Sequence, residues 1–236
     1  MPQPLPAIAS IRDFMVFEEH VRNARARRGA EVPAEWYEAP TFYFTNAAPS
    51  AVYGDGDVVP RPSYTTKLDV ELELACIIGM GGRDIAAADA EQHILGYTIY
   101  NDWSARDVQR REMAVGLGPC KAKDFAQSLG PHLVTAQELA GWRISPGRYE
   151  LDMDLIVNGT RIGGGNSRDM RWDFCELIEF ASRDVELRPG DVLGSGTVGT
   201  GCILELGSEI QSWLVPGDEV EMRVEGIGSL MNRVQE

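Results

Sequence analysis

Cysteine is scarce in this sequence, and its four copies (Cys76, Cys120, Cys175, Cys202) lie far apart. No C-x-x-C pair occurs and no histidine accompanies a cysteine at zinc-ligand spacing, which disfavours a disulfide or zinc framework. Positive charge is also in short supply: 22 Lys and Arg stand against 36 Asp and Glu, a formal net charge of -14. Such a chain repels phosphate backbones and anionic membranes, so nucleic acid is not an expected partner. No apolar run approaches the ~18 residues of a membrane span. The opening Met-Pro-Gln-Pro-Leu-Pro has neither a basic n-region nor an apolar h-region, and the expectation is a cytoplasmic protein with no membrane contact. Internal repeats and low-complexity linkers are missing as well.

What is present is a globular composition, 44% hydrophobic and 25% charged, over a length of 236 residues that can bury a real core. A single domain over 1–236 is expected, with an N-terminal helical or lid segment at about 10–62 and a core at about 63–230. Ser10 as a cap, with Phe14, Phe17, Val21 and Ala24 recurring at helical spacing, predicts a helix over 10–28. Residues 29–62 are rich in aromatics, Pro and Gly and predict loops with short strands. From Lys67 the pattern alternates strictly, with Leu68, Val70, Leu72 and Leu74 on one face and Lys67, Asp69, Glu71 and Glu73 on the other, which predicts a strand. Helices are expected over 86–93, 104–113 and 172–182, and a buried strand over 94–100. Leu151, Met153, Leu155 and Val157 alternate into Asn158-Gly159, a strong hairpin signal, and two Pro-Gly-Asp turns introduce strands at 192–193 and 220–224. The sum is a mixed α/β, strand-rich fold with a few short helices, closer to a roll or sandwich than to a doubly wound sheet.

Several residues have the chemistry of a site. Glu71 and Glu73 project from one strand face, close enough to share a cation, and the same face runs on into Ala75 and Ile77, toward the interior. The alternative is a solvated sheet edge. Asp102, Arg106, Gln109 and Arg110 fall at i, i+4, i+7 and i+8, a polar stripe suited to an anion bridged to a metal, or else a solvated helix face with a capping Asp102. Asp13 and His20 are seven apart, two turns of one helix face, so a ligand and a base can share a site; Asp13 also stands where an acid completes a helix cap. The loop at 116–125 offers Lys121 and Lys123 to an oxyanion, and the Gly-rich stretch at 194–201 offers amides and hydroxyls to a carboxylate, or is a plain turn.

Asp13-Phe14 with His20, the Leu68-Asp69-Val70-Glu71-Leu72-Glu73 run, Asn101-Asp102-Trp103-Ser104-Ala105-Arg106-Asp107, and Leu117-Gly118-Pro119 ahead of Lys123 together resemble the fumarylacetoacetate hydrolase family over about 10–225. The resemblance implies a mixed β-sandwich roll, a homodimer, and Mg²⁺ (or Ca²⁺ or Mn²⁺) held by Asp13, Glu71, Glu73 and Asp102. An all-carboxylate set independently favours a hard cation over zinc. It further implies that His20, paired with Glu205, activates water, that Lys123 stabilises or protonates the developing carbanion, and that Arg106, Gln109 and Thr197 contact a small anionic oxo-acid. The implied activity is hydrolysis of a carbon-carbon bond in an acylpyruvate-like acid, with decarboxylases of oxaloacetate, dienoate isomerases and a non-catalytic metal-stabilised binder as the other expectations. The resemblance is to a short, bacterial-type member without the name-giving enzyme's N-terminal domain, and Met15, where that enzyme has a tyrosine, with Ala126-Gln127 after Lys123, departs from its pattern, so fumarylacetoacetate itself is not the expected substrate.

Overall fold

The computed structural model describes residues 3–27 and 29–236. Two sheets form the body. One has seven strands in the order Phe42–Thr45, Ser10–Phe14, Asp191–Gly194, Leu72–Ile78, Ile94–Asp102, Gln127–Val134, Val52–Tyr53. The other has five, in the order Thr160–Asn166, Asp152–Val157, Glu219–Val224, Gly228–Val234, Val58–Val59. They pack through Leu72, Leu74, Cys76 and Ile78 on one side and Met153, Leu155, Met222 and Leu230 on the other, with helix Phe174–Ser182 closing the same core. Each of these side chains contributes about 1.5–3 kcal/mol by leaving water. The opposite face of the seven-stranded sheet carries a smaller core of Ile11, Ala75, Ile77, Tyr100, Leu129 and Val192. Among the described residues, no helix is long and apolar enough to cross a membrane.

Local signals account for several elements. Asn158 and Gly159 both take positive φ (49° and 76°), the left-handed pair that a two-residue hairpin turn needs. Asp173 and Glu176 form a reciprocal capping box that starts the helix at Phe174, two residues after the predicted 172. The predicted helix over 86–93 is a 3₁₀ helix, Ala87–His93.

Three expectations are overturned by tertiary pairing. The helix predicted over 10–28 is a strand, Ser10–Phe14, followed by a helix, Glu18–Ala26; residue 28 lies outside the described residues. Pairing with Asp191–Gly194 on one side and Phe42–Thr45 on the other outweighs helical spacing here, and Ser10 Oγ donates to Asp191 Oδ1 (2.7 Å) instead of capping a helix. The alternating strand from Lys67 breaks into Leu68–Asp69 and Leu72–Ile78, and from Leu68 onward both faces are buried. The helix predicted over 104–113 starts at Arg106, because Ser104–Ala105 pairs with Leu68–Asp69; Asp102 therefore ends a strand and is not part of a helical stripe.

Asp69 ties these pieces together. Its Oδ1 accepts from the backbone amides of Val70 and Ile203 (both 2.8 Å), and its Oδ2 accepts from the Leu204 amide (3.0 Å) and from Arg106 Nε (2.7 Å). It thus satisfies the start of the short helix Ile203–Leu206 from a distant part of the chain. Asp69→Ala leaves Arg106 Nε and the two helix amides without their partner and removes one of the two carboxylates that pair the buried guanidinium, and is expected to lower unfolding free energy by roughly 3–5 kcal/mol in urea titrations. A loss below ~1 kcal/mol would remove Asp69 from this role.

Candidate active site

Register brings the acids together from four strand ends and breaks. Asp13 pairs with Tyr43 on one neighbour and with Gly194 on the other, and Gly194 pairs with Ala75, two residues from Glu73 on the same strand face. A Cβ at Gly194 would lie 2.9 Å from the Tyr100 ring and 3.0 Å from Asp13 Oδ1, so glycine is what leaves the Asp13 carboxylate its space. Glu71 occupies the break between the two short strands, where its amide donates to Asn101 Oδ1 (3.1 Å), one residue before Asp102. Carboxylate oxygens of Asp13, Glu71, Glu73 and Asp102 all lie within 4.8 Å of one another, and none of the four residues is more than 6% exposed.

Their partners are unequal. Glu71 accepts from Arg106 Nη2 (2.9 Å) and from Lys123 Nζ, and these two cations outweigh desolvation and hold its carboxyl well below the usual range. Asp13 and Glu73 are pushed well up, first by burial and then by neighbouring acids. Asp102 is also raised by burial, although Lys123 Nζ lies 2.5 Å from its Oδ2. Lys123 is itself held above its normal range, because Asp102 and Glu71 outweigh the cost of burying its ammonium. Tyr43 Oη sits between Asp13 Oδ2 (2.7 Å) and Asp102 Oδ2.

Three buried oxygens of this cluster, Asp13 Oδ1, Glu73 Oε1 and Asp102 Oδ1, have no hydrogen-bond partner. Buried carboxylate oxygens are rarely left so. An all-oxygen, anionic donor set with three unspent ligand atoms fits a hard divalent cation.

A cavity of about 530 Å³ is lined by Asp13, Glu71 and Glu73 of the cluster with Lys123 and Thr197, and by the apolar side chains of Met15, Val21, Ala24, Met113, Pro119 and Leu204. His20 also lines it, from helix Glu18–Ala26 rather than from a helix shared with Asp13. Its Nδ1 lies 2.6 Å from Glu205 Oε1. Burial opposes the Glu205 charge, but hydrogen bonds from His20, the Thr200 amide (2.9 Å) and Asn23 (3.0 Å) outweigh it and keep the carboxyl below its ordinary value. An ionised Glu205 only accepts, so Nδ1 carries the ring proton and Nε2 presents a lone pair.

Arg106 spends its donors on Asp69, Glu71 and Gln109 Oε1 (3.0 Å), which aligns the Gln109 amide at the cavity wall. Arg110 is exposed and does not line the cavity. Lys121 pairs with Asp124 (3.0 Å) at the surface, which leaves Lys123 as the loop's inward cation. The Gly-rich stretch holds carboxylates, but they are the protein's own: Gly196 N donates to Glu73 Oε2 (2.8 Å) and Thr200 N to Glu205. Sequence reasoning missed Tyr43, hidden in an aromatic run among loops, and Asp69, which sat on the face expected to be polar.

The model for "Fumarylacetoacetate (FAA) hydrolase C-terminal" matches residues 9–235. The chain is 32% identical over 235 residues to oxaloacetate tautomerase YisK of Bacillus subtilis, covering 99% of this chain and 71% of that protein. Fumarylpyruvate hydrolase from Pseudomonas aeruginosa, solved with Mn²⁺ and pyruvate, superposes with a TM-score of 0.77 at 26% identity, over 100% of this chain and 96% of that one. The 5-carboxymethyl-2-hydroxymuconate delta-isomerase of Mycobacterium smegmatis gives 0.75 at 29% identity, over 97% and 77%. On the residues matched and the shared architecture, this chain belongs to the fumarylacetoacetate hydrolase family.

Proposed function

We propose that this protein is a divalent-metal-dependent enzyme acting on a small 1,3-dioxo or 2-oxo acid, and that it hydrolyses a carbon-carbon bond in an acylpyruvate-like substrate. The observation that carries the reading is that His20, paired with Glu205, lines one cavity with Asp13, Glu71 and Glu73, and that two of these acids, together with the adjoining Asp102, hold the three unpartnered oxygens. Asp13, Glu71, Glu73 and Asp102 are the proposed ligands, with Mg²⁺ as the expected ion and Mn²⁺ or Ca²⁺ able to replace it. When bound, the cation supplies a chelating Lewis acid for neighbouring substrate oxygens.

The remaining roles fall to the protein's own side chains. Gln109, aligned by Arg106, and Thr197 hold the substrate carboxylate at the wall. His20 Nε2 takes a proton from water, and Glu205 balances the imidazolium that results. The water oxygen joins the acyl carbon, the carbon-carbon bond breaks, and the departing carbon takes up the proton that His20 removed from water, which returns the imidazole to its neutral form. Lys123, held cationic by Asp102 and Glu71, places a positive charge beside the developing oxyanion. The apolar sides of the cavity exclude water around the substrate's tail.

A second reading is enol-keto tautomerisation of a 2-oxo diacid on the same groups, favoured by the identity to a protein named as an oxaloacetate tautomerase. It moves protons and needs no attacking water.

Two outcomes are expected. Mg²⁺ at ~100 times its dissociation constant raises stability by about 2.7 kcal/mol, and Glu73→Gln cancels the gain; thermal scans with Mg²⁺ and with chelator check this, and identical midpoints would sink the metal assignment. On a panel of acylpyruvates followed by loss of enol absorbance, and oxaloacetate followed separately for enol-keto interconversion, His20→Ala lowers hydrolytic kcat by about 10²–10⁴ while Mg²⁺ binding persists. Enol-keto interconversion of oxaloacetate by the wild-type protein, with no fragments released from any acylpyruvate, would transfer the assignment to tautomerisation.

A further inference from the structure

The pair proposed as the base has a third buried neighbour, which the mechanism does not use. Cys202 Sγ lies 3.3 Å from Glu205 Oε1, the same oxygen that faces His20 Nδ1 at 2.6 Å. One ligand atom from each of His20, Cys202 and Glu205 falls within 4.8 Å of the others, and all three residues are buried. We propose that these three residues form a second cation site, selective for a borderline or soft ion such as Zn²⁺, whose occupation takes the base out of use. The inhibitory consequence rests on the reading of His20 as a base, whereas the binding does not.

The donor set is the first support. One imidazole nitrogen, one thiolate and one carboxylate, with a fourth position open, is a zinc-type constellation, and donors around a tetrahedral zinc stand about 3.4 Å apart. The Cys202–Glu205 spacing already has that value, and the His20–Glu205 contact needs to open by less than about 1 Å. Access is the second. His20, alone of the three, lines the 530 Å³ cavity, and an ion arriving by the substrate's route meets the site at its imidazole. Selectivity is the third. The carboxylate cluster is all oxygen and suits Mg²⁺, while sulfur and imidazole favour Zn²⁺, so the two cations sort between neighbouring sites.

Ligation accounts for the loss of the base. Burial and the neighbouring acids hold the Cys202 thiol protonated in the free protein, so the ion must displace that proton to solvent as it binds, and it replaces the proton on His20 Nδ1. A neutral ring must then carry its proton on Nε2, which removes the lone pair that accepts a proton from water.

Co²⁺ serves as the probe, added to the full chain at saturating Mg²⁺. The expected result is a thiolate-to-cobalt charge-transfer absorption that persists in Cys120→Ser, the exposed cysteine, and in Glu73→Gln, and that Cys202→Ser abolishes. His20→Gln, an independent variant, weakens Co²⁺ binding by at least roughly ten-fold, and Zn²⁺ displaces the cobalt. With zinc, wild-type turnover falls relative to its own zinc-free rate, and the half-inhibitory concentration rises by at least roughly ten-fold in Cys202→Ser. Absence of the band, or a band lost in Cys120→Ser and kept in Cys202→Ser, overturns the site. A cobalt band in a protein that turns over no oxo-acid leaves the site standing and overturns the functional reading instead.

Discussion

Four carboxylates meeting in a buried space is the constraint from which the rest of this molecule follows. Each ion costs several kcal/mol to remove from water, and their mutual repulsion adds to that. The protein offsets the cost unevenly. Glu71 receives Arg106 and Lys123 and stays ionised, while Asp13 and Glu73 have no cation of their own within the cluster and are raised by burial. The same unevenness is what creates a site. Had each acid been paired as Glu71 is, no oxygen would be left to bind anything, and the cluster would be a buried salt-bridge network with no chemistry.

Holding such a cluster needs a rigid frame, and the seven-stranded sheet supplies it by bringing distant segments into register. Asp13 and Gly194 sit side by side on parallel strands, and Glu73 lies two residues from Ala75, which pairs with Gly194. The dyad is held by a separate device. Asp69 satisfies the amides of Ile203 and Leu204 and so fixes the turn that bears Glu205, while its contact to Arg106 links that turn to Glu71. Asp69 therefore couples the position of the His20–Glu205 pair to the position of the carboxylates, and it lines no part of the cavity.

The sequence was legible where a local pattern and its tertiary setting agreed. The Asn158-Gly159 hairpin, the buried strand ending at Asp102 and the capped helix at Phe174 are cases of this. It misled where pairing partners decided the outcome: helical spacing at 10–28 gave way to two neighbouring strands, and strict alternation after Lys67 hid a run buried on both faces. The acids of the site could be picked out by their order along the chain, but not the reasons for their proximity. Asp13 and His20 face one cavity from a strand and a helix, not from one helix. Tyr43 enters only through its register opposite Asp13, and the meeting of Cys202 with His20 and Glu205 has no trace in cysteine spacing. Contacts of this kind are products of topology, and a one-dimensional pattern does not carry them.

The carboxylate cluster and Lys123 serve any reaction that passes through a negatively charged oxygen next to a carbonyl, so they do not decide which reaction occurs. On the proposed reading, that decision lies at His20. Glu205 fixes its tautomer through a 2.6 Å contact and is itself held by Asn23 and the Thr200 amide, so Nε2 presents its lone pair in a fixed direction. If that direction meets a water beside the substrate carbonyl, a bond is hydrolysed; if it meets the substrate's own carbon, a proton is moved and nothing is cleaved. The apolar lining of the cavity bears on the same choice, since Met15 and Met113 offer a water no more than a weak thioether acceptor. A substrate tail that fills that space leaves room for water only at the polar lining, where His20, Lys123 and the carboxylates converge. Hydrolysis and tautomerisation on this frame are thus separated by the occupancy of one water position.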